Sequence, residues 1–357
     1  MIENGFGPAG TARLRAEVVV DGLEVPWSLA FLPGGDVLVT ERPGRIRLVH
    51  NGALVPQPVA TVQTDPGGEG GLQGLALHPQ FAQNRLFYIY FTVQTPRGKR
   101  NRLERWRLSE DRRSASFDAR LMDELPAAQF HHGGRIRVGP DGMLYVSVGD
   151  AAQPDNAQDL KSPGGKLHRL TPDGTVPSDN PFAGSSVFLV GLRNVEAFDW
   201  QDRQTLVLAD HGPSGELGRT GHDEVTVARK GDNLGWPIIY GCETRKGLLS
   251  PSIAWTEALP PGGAAIYSGE AIRGWKGSFI IGVLGAKQLH RVVFGSDRRT
   301  VASHEVYFEG DPPAGLGRLR DVVMGPDGQL YVTTSNCDGR GRCPREKDKI
   351  IRIVPAE

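Results

Sequence analysis

Helical periodicity is nearly absent from this chain of 357 residues, and so are excess charge, long apolar runs and abundant cysteine. Each absence excludes something. With 41 basic and 41 acidic side chains the formal net charge is zero, which removes the electrostatic reason to expect nucleic acid or an anionic membrane as a partner. No run of 18 apolar residues occurs, so no membrane span is expected. The opening stretch MIENGFGPAGTARLRAE lacks the apolar core of a signal peptide. The three cysteines show neither zinc-site spacing nor a C-x-x-C redox pair. Cys337 and Cys343, in SNCDGRGRCPRE, either form a small disulfide loop suited to an oxidising compartment or stand as two loop thiols; Cys242 has no obvious partner.

What the chain has instead is turn chemistry. Its 47 glycines and 26 prolines fall below the level of a disordered, biased sequence but imply many tight turns. Strand–turn–strand units recur: WSLAFLPGGDVLVTERPGRIRLV, LQGLALHPQFAQNRLFYIYFT, GRIRVGPDGMLYVSVGD, VEAFDWQDRQTLVLADHGP, GEAIRGWKGSFIIGVLGAKQLHRVVF and LRDVVMGPDGQLYVTTSN. Their turns lie roughly 45 to 75 residues apart, and the third and sixth share GPDGxLYV. Six such units, with no helices to cover sheet faces, predict an all-β, six-bladed β-propeller of four-stranded antiparallel sheets, read as one domain over residues 1–357. A pair of β-sandwiches is the structural alternative. The early strand LRAEVVV is expected to join the blade ending in KIIRIV.

Propellers carry function on loops at one end of their blades, and the unusual residues sit at matching places. His131, in FHHGGRIRV, precedes the first strand of unit three; Arg193 and Asn194 precede unit four; Arg318 and Arg320 precede unit six; His211-Gly212-Pro213 follows the outer part of unit four. Such a set makes a poor core and a good pocket for a polyanion, because arginine forks bind carboxylates bidentately. A neutral imidazole is also the natural acceptor for a hydroxyl proton near neutral pH.

At these residues the chain resembles the soluble aldose sugar dehydrogenases, six-bladed propellers that use pyrroloquinoline quinone and calcium. The motifs GGLQGLALHPQF, HHGGRIRVGPDGMLYVSVGD, GGKLHRLTPDGTVPSDNPF, GLRNVEAFDW, DHGPSGELGRTGHDEV, GDNLGWP and RLRDVVMGPDGQLYVTTSN occur in the family's order over nearly the whole chain. The resemblance implies that His131 is the catalytic base, with Gly133 and Gly134 letting backbone crowd against the cofactor and His132 a bystander. It implies that Arg193 stands beside the reactive quinone carbonyl and Asn194 on the same cofactor edge, while Arg318 and Arg320 hold cofactor carboxylates. It implies that the Gly212 and Pro213 carbonyls bind the active-site calcium, and that Glu224 and the Leu234 carbonyl bind a second; Glu224 is otherwise a solvated loop carboxylate. Two positions depart from the family. Gly285 stands where a cofactor lysine is usual, so either Lys287 reaches in or the contact is missing. Glu69 replaces a glutamine near the base, and it orients His131, raises its pKa or faces water.

The expected activity is oxidation of aldose sugars at C1 to lactones, with hydride passing to the quinone and electrons to an external acceptor, in the periplasm or outside the cell. The protein is expected as a monomer or dimer. A calcium-dependent lactonase and a non-catalytic propeller binding protein are the alternatives; fold alone does not separate them.

Overall fold

The computed structural model describes residues 2–356 and is almost entirely β. Six sheets carry the chain, each built on four antiparallel strands, consecutive in sequence in all but the sixth: the blades of a six-bladed β-propeller. The chain divides into two compact units, Trp27–Val195 with Arg229–Ile238, and Met1–Pro26 with Glu196–Ala228 and Ile239–Glu357.

The first unit holds three blades. The blade of Pro26–Phe31, Val37–Glu41 and Arg45–His50 has a broken outer edge, with the short strands Ala53–Leu54 and Ala60–Thr61 both pairing with Arg45–His50. The second runs Leu72–Leu77, Leu86–Thr95, Gly98–Leu108 and Ala115–Pro126, and the third Gly133–Val138, Leu144–Val148, Lys166–Leu170 and Val187–Val190. Leu38, Ile46, Leu72, Phe87 and Ile89 pack one core between blades, and Tyr90, Ile136, Leu144 and Val146 another. Burying each such side chain contributes about 1.5–3 kcal/mol.

In the second unit, Val195–Trp200, Thr205–Asp210, Asp223–Arg229 and Ile253–Trp255 form the fourth blade, to which Ile2–Asn4 adds a parallel strand. The fifth runs Pro261–Ile266, Phe279–Val283, Gln288–Phe294 and Val301–Tyr307. The sixth joins both ends of the chain: Leu14–Leu23 pairs antiparallel with Asp348–Pro355, beside Leu330–Thr334 and Leu319–Met324. The expected pairing of LRAEVVV with KIIRIV is therefore present.

One prediction needs correcting. GEAI was read as the opening strand of the fifth unit, but that strand is Pro261–Ile266, PGGAAI, and GEAIRGWKG is a connecting loop. Pro-Gly-Gly reads locally as a turn, yet its glycines are needed here. A Cβ at Gly262 would lie 2.8 Å from the carbonyls of Leu319 and Arg320 on the neighbouring blade.

The repeated GPDGxLYV has one physical cause in both places. Asp141 accepts from the amide of Met143 at 3.1 Å and from the Tyr145 hydroxyl at 3.0 Å. Asp327 accepts from Gln329 at 3.1 Å and Tyr331 at 2.8 Å. Gly142 and Gly328 take φ of 76° and 74°, which other residues adopt reluctantly. Each aspartate thus ties the turn to the strand that leaves it.

Candidate functional site

The segment before Gly133–Val138 must reverse direction sharply, and His131 does so in the left-handed region at φ 61°. Its amide donates to Glu69 Oε2 at 3.1 Å, so the Glu69 carboxylate grips the backbone in this conformation. Gly133 and Gly134 follow at φ 66° and 93°. A Cβ on Gly133 would approach Gly149 N and Ser147 O to 2.8 Å, and one on Gly134 would meet Gln73 and Tyr90 at 3.1 Å. The crowding that requires these glycines is with neighbouring protein strands.

His131 is nearly enclosed, with its side chain 8 % exposed. Its Nδ1 lies 2.7 Å from Asp150 Oδ1. A carboxylate only accepts, so Nδ1 carries the proton and the neutral ring keeps its lone pair on Nε2, the form a general base requires. Asp150 is fully buried and fixed by further donors: Trp236 Nε1 to Oδ2 at 2.9 Å and Ala152 N to Oδ1 at 2.8 Å. Its own amide donates to the Arg193 carbonyl at 2.8 Å. Arg193 is buried, its guanidinium carbon 5.7 Å from the centre of the Trp236 ring. Asn194 Oδ1 accepts from Gly133 N at 2.8 Å. His131, Glu69, Arg193 and Asn194 are thus brought together within the first unit.

Asp150 and Trp236 are the members the sequence reading did not single out. Asp150 lies two residues past the strand Leu144–Val148 and reads as a turn former, and Trp236 lies 86 residues away.

His132 points elsewhere. Its Nδ1 meets Asn101 Oδ1 at 3.0 Å and Thr92 Oγ1 at 3.1 Å, and burial pushes its pKa down to about 4. It is a neutral core histidine.

The loop after Asp150 is held by a buried ammonium. Lys166 Nζ donates to the carbonyls of Asn156 at 2.6 Å, Gly164 at 2.8 Å and Ala157 at 3.0 Å. Asn156 in turn donates to the Asp150 carbonyl at 3.0 Å, and Gln158 to the Trp236 carbonyl at 2.6 Å. The backbone on both sides of the His131–Asp150–Trp236 chain is therefore tied to one loop.

In the second unit, Arg318 stands just before Leu319–Met324 and Arg320 lies inside it. Both are buried and neither is bare: Arg320 Nη1 lies 2.5 Å from Glu196 Oε2, and Arg318 Nε and Nη2 lie 2.9 and 2.8 Å from Asp338 Oδ2. Burial pulls the pKa of Arg318 down, and Asp338 opposes it. Lys287 is ion-paired with Asp311 at 2.7 Å, and Gly285 packs against Pro260.

His211 Nε2 lies 2.7 Å from the Pro261 carbonyl. Gly212 donates to Asp223 Oδ1 at 3.0 Å, and Pro213 is buried. A Cβ on Gly212 would sit 2.0 Å from the Gly221 carbonyl, so only glycine fits. The Glu224 carboxyl is pushed well above the usual carboxylate range by burial and by the charges of Asp210 and Asp223. These hard oxygen donors suit calcium, although among the described residues no group of three or more His, Cys, Asp or Glu side chains is set to hold a metal. Leu234 is buried in the first unit, its amide donating to the Val190 carbonyl at 2.8 Å. Cys337 and Cys343 are disulfide-bonded, as the spacing allowed.

A β-propeller with a histidine–carboxylate pair beside a buried arginine defines a class: a scaffold equipped to take a proton next to a site for negative charge. Residues 23–351 match the family model described as glucose/sorbosone dehydrogenase, and the chain belongs to that family. It is 31% identical to the aldose sugar dehydrogenase YliI of Escherichia coli K12, over 93% of this chain and 92% of that protein. Among solved structures it is similar to the PQQ-bound aldose sugar dehydrogenase of Streptomyces coelicolor, with 34% identity, a TM-score of 0.84, and 97% and 99% of the two chains covered. An oxidoreductase of Thermus thermophilus described as a glucose dehydrogenase matches with 42% identity and a TM-score of 0.86, over 96% of this chain and all of that one.

Proposed function

We infer that this protein oxidises aldose sugars at C1 to lactones, using pyrroloquinoline quinone and calcium. The observation that carries the reading is the His131–Asp150 pair beside Arg193 in a chain of the glucose/sorbosone dehydrogenase family. The chemistry supplied by the bound cofactors is hydride acceptance at a quinone carbonyl polarised by the metal.

The chain's own residues do the rest. His131 Nε2 accepts the proton of the sugar's C1 hydroxyl, a contribution of roughly 10²–10⁴-fold. Asp150 stabilises the imidazolium that results, and Trp236 keeps the second carboxylate oxygen from turning away. Arg193 supplies positive charge where negative charge develops, which is worth most in a site that excludes water. Asn194 and Glu69 hold the backbone of the base. Arg318 and Arg320 are assigned to cofactor carboxylates, while Lys287 must leave Asp311 to reach a ligand. The Gly212 and Pro213 carbonyls are assigned to the catalytic calcium, and Glu224 and the Leu234 carbonyl to a second one. The disulfide supports work in the periplasm or outside the cell. Electrons leave to an external acceptor.

The test is sugar-dependent dye reduction after adding pyrroloquinoline quinone and calcium to the apo-protein. Wild type should turn over, and His131→Ala should bind the cofactor but lose roughly 10²–10⁴-fold in rate. Full activity in His131→Ala, or none in wild type with any aldose, refutes the assignment.

A further inference from the structure

Arg318 has five N–H donors. Its Nε and one Nη2 hydrogen go to Asp338 Oδ2, and one Nη1 hydrogen goes to the Leu284 carbonyl at 3.1 Å. These contacts leave one N–H on each terminal nitrogen, the two donors with which a guanidinium fork can grip a carboxylate or phosphate in two places. Gripping the guanidinium from Nε and from Nη1 aims that fork.

Asp338 is unusual for its surroundings. It lies in an exposed loop, yet its side chain is 2 % exposed. Its Oδ2 also accepts from Ser335 Oγ at 3.1 Å, and Oδ1 accepts from Arg340 N at 2.9 Å. The same loop lies flush on the arginine stem: a Cβ at Gly341 would come within 2.7 Å of Arg318 Cδ. The start of the loop is anchored by Asp348, which accepts from Asn336 N at 2.6 Å and Cys337 N at 3.2 Å. The return half, through Gly339, Arg340 and Arg342, is exposed, and the Cys337–Cys343 bond ties it back.

The geometry points to Asp338 as a positioning residue for the Arg318 anion fork, and to the Cys337–Cys343 disulfide as a redox-sensitive clasp that keeps it there. That the anion is a carboxylate of the quinone cofactor rests on the function proposed above. A dithiol reductant opens the clasp: two electrons and two protons convert the disulfide to the Cys337 and Cys343 thiols, and the dithiol becomes its own disulfide. The loop then loses its return tie, Asp338 leaves Nε, and the fork is no longer aimed.

Two readouts decide this without turnover. The first is phenylglyoxal labelling of the full chain, mapped to Arg318 by mass spectrometry. Arg318 should be protected in the oxidised protein and react several-fold faster after dithiothreitol, in Cys337→Ser/Cys343→Ser and in Asp338→Ala. Asp338→Asn, which keeps an acceptor oxygen, should restore part of the protection. The second is equilibrium binding of pyrroloquinoline quinone without sugar. Reduction should weaken it about tenfold, the effect of one lost charge-assisted hydrogen bond. Asp338→Ala should weaken it as much, and reducing that variant should add nothing. Unchanged labelling on reduction overturns the clasp, and tighter cofactor binding by Asp338→Ala overturns the positioning role. If wild type binds no cofactor, the functional reading falls, while the labelling still decides the clasp.

Discussion

Lys166 offers a sharp thermodynamic test of the loop behind the candidate base. Its ammonium is fully buried on three carbonyl oxygens, and burial lowers its pKa from 10.5 to about 8, with Asp159 opposing. A depressed lysine pKa means that the unfolded chain binds more protons than the folded one between pH 8 and 10.5, so stability from this group rises with pH across that window. Below it, burying the charge costs about 3 kcal/mol relative to a lysine in water. Most of that cost is relieved on going from pH 8 to 10.5, a gain of roughly 2–3 kcal/mol. The comparison is with Lys166→Met, which has no proton to lose but leaves three carbonyls without their donor. Guanidinium unfolding followed by tryptophan fluorescence should show wild type gaining roughly 2–3 kcal/mol on the variant over this range. A difference that stays flat, or that moves the other way, refutes the buried ammonium.

Three further outcomes are expected. Asp150→Asn should cut turnover by roughly 10²–10⁴-fold with folding intact, because an amide can donate to Nδ1 and shift the proton to Nε2; nitrogen-15 shifts of His131 would report the tautomer. His132→Ala should cost about 2 kcal/mol or more in unfolding free energy while leaving the rate per folded molecule near wild type, since the ring is a neutral core group bonded to Asn101 and Thr92. Calcium at about 100 times its dissociation constant should stabilise the apo-protein by about 2.7 kcal/mol, seen as a higher melting temperature that Glu224→Gln reduces.

The sequence by itself determined the class of fold and most of the blade order. Period-two alternation and Pro-Gly-Asp turns are local signals, and they sit on the strands with one or two buried faces, such as Leu144–Val148 and Leu330–Thr334. The same logic failed where burial was not the local driver. The ribbon of Gly98–Leu108 and Ala115–Pro126 is laced by pairs such as Arg105–Asp118 and Arg102–Asp123, so it shows no apolar alternation. PGGAAI was hidden because its glycines answer to a neighbouring blade. His131, Arg193, Asn194 and Arg318 stood out because chemically costly residues preceded strands at matching places, and Arg320, read with them, lies one residue inside its strand. Only the tertiary structure decided what each one touches. It gave His131 to Asp150, closed the carboxylate on Trp236, showed His132 to be core, and matched the arginines with Glu196 and Asp338. Those pairings span up to 124 residues of sequence. A hydrogen bond depends on angstroms between atoms, and the distance along the chain carries no record of them.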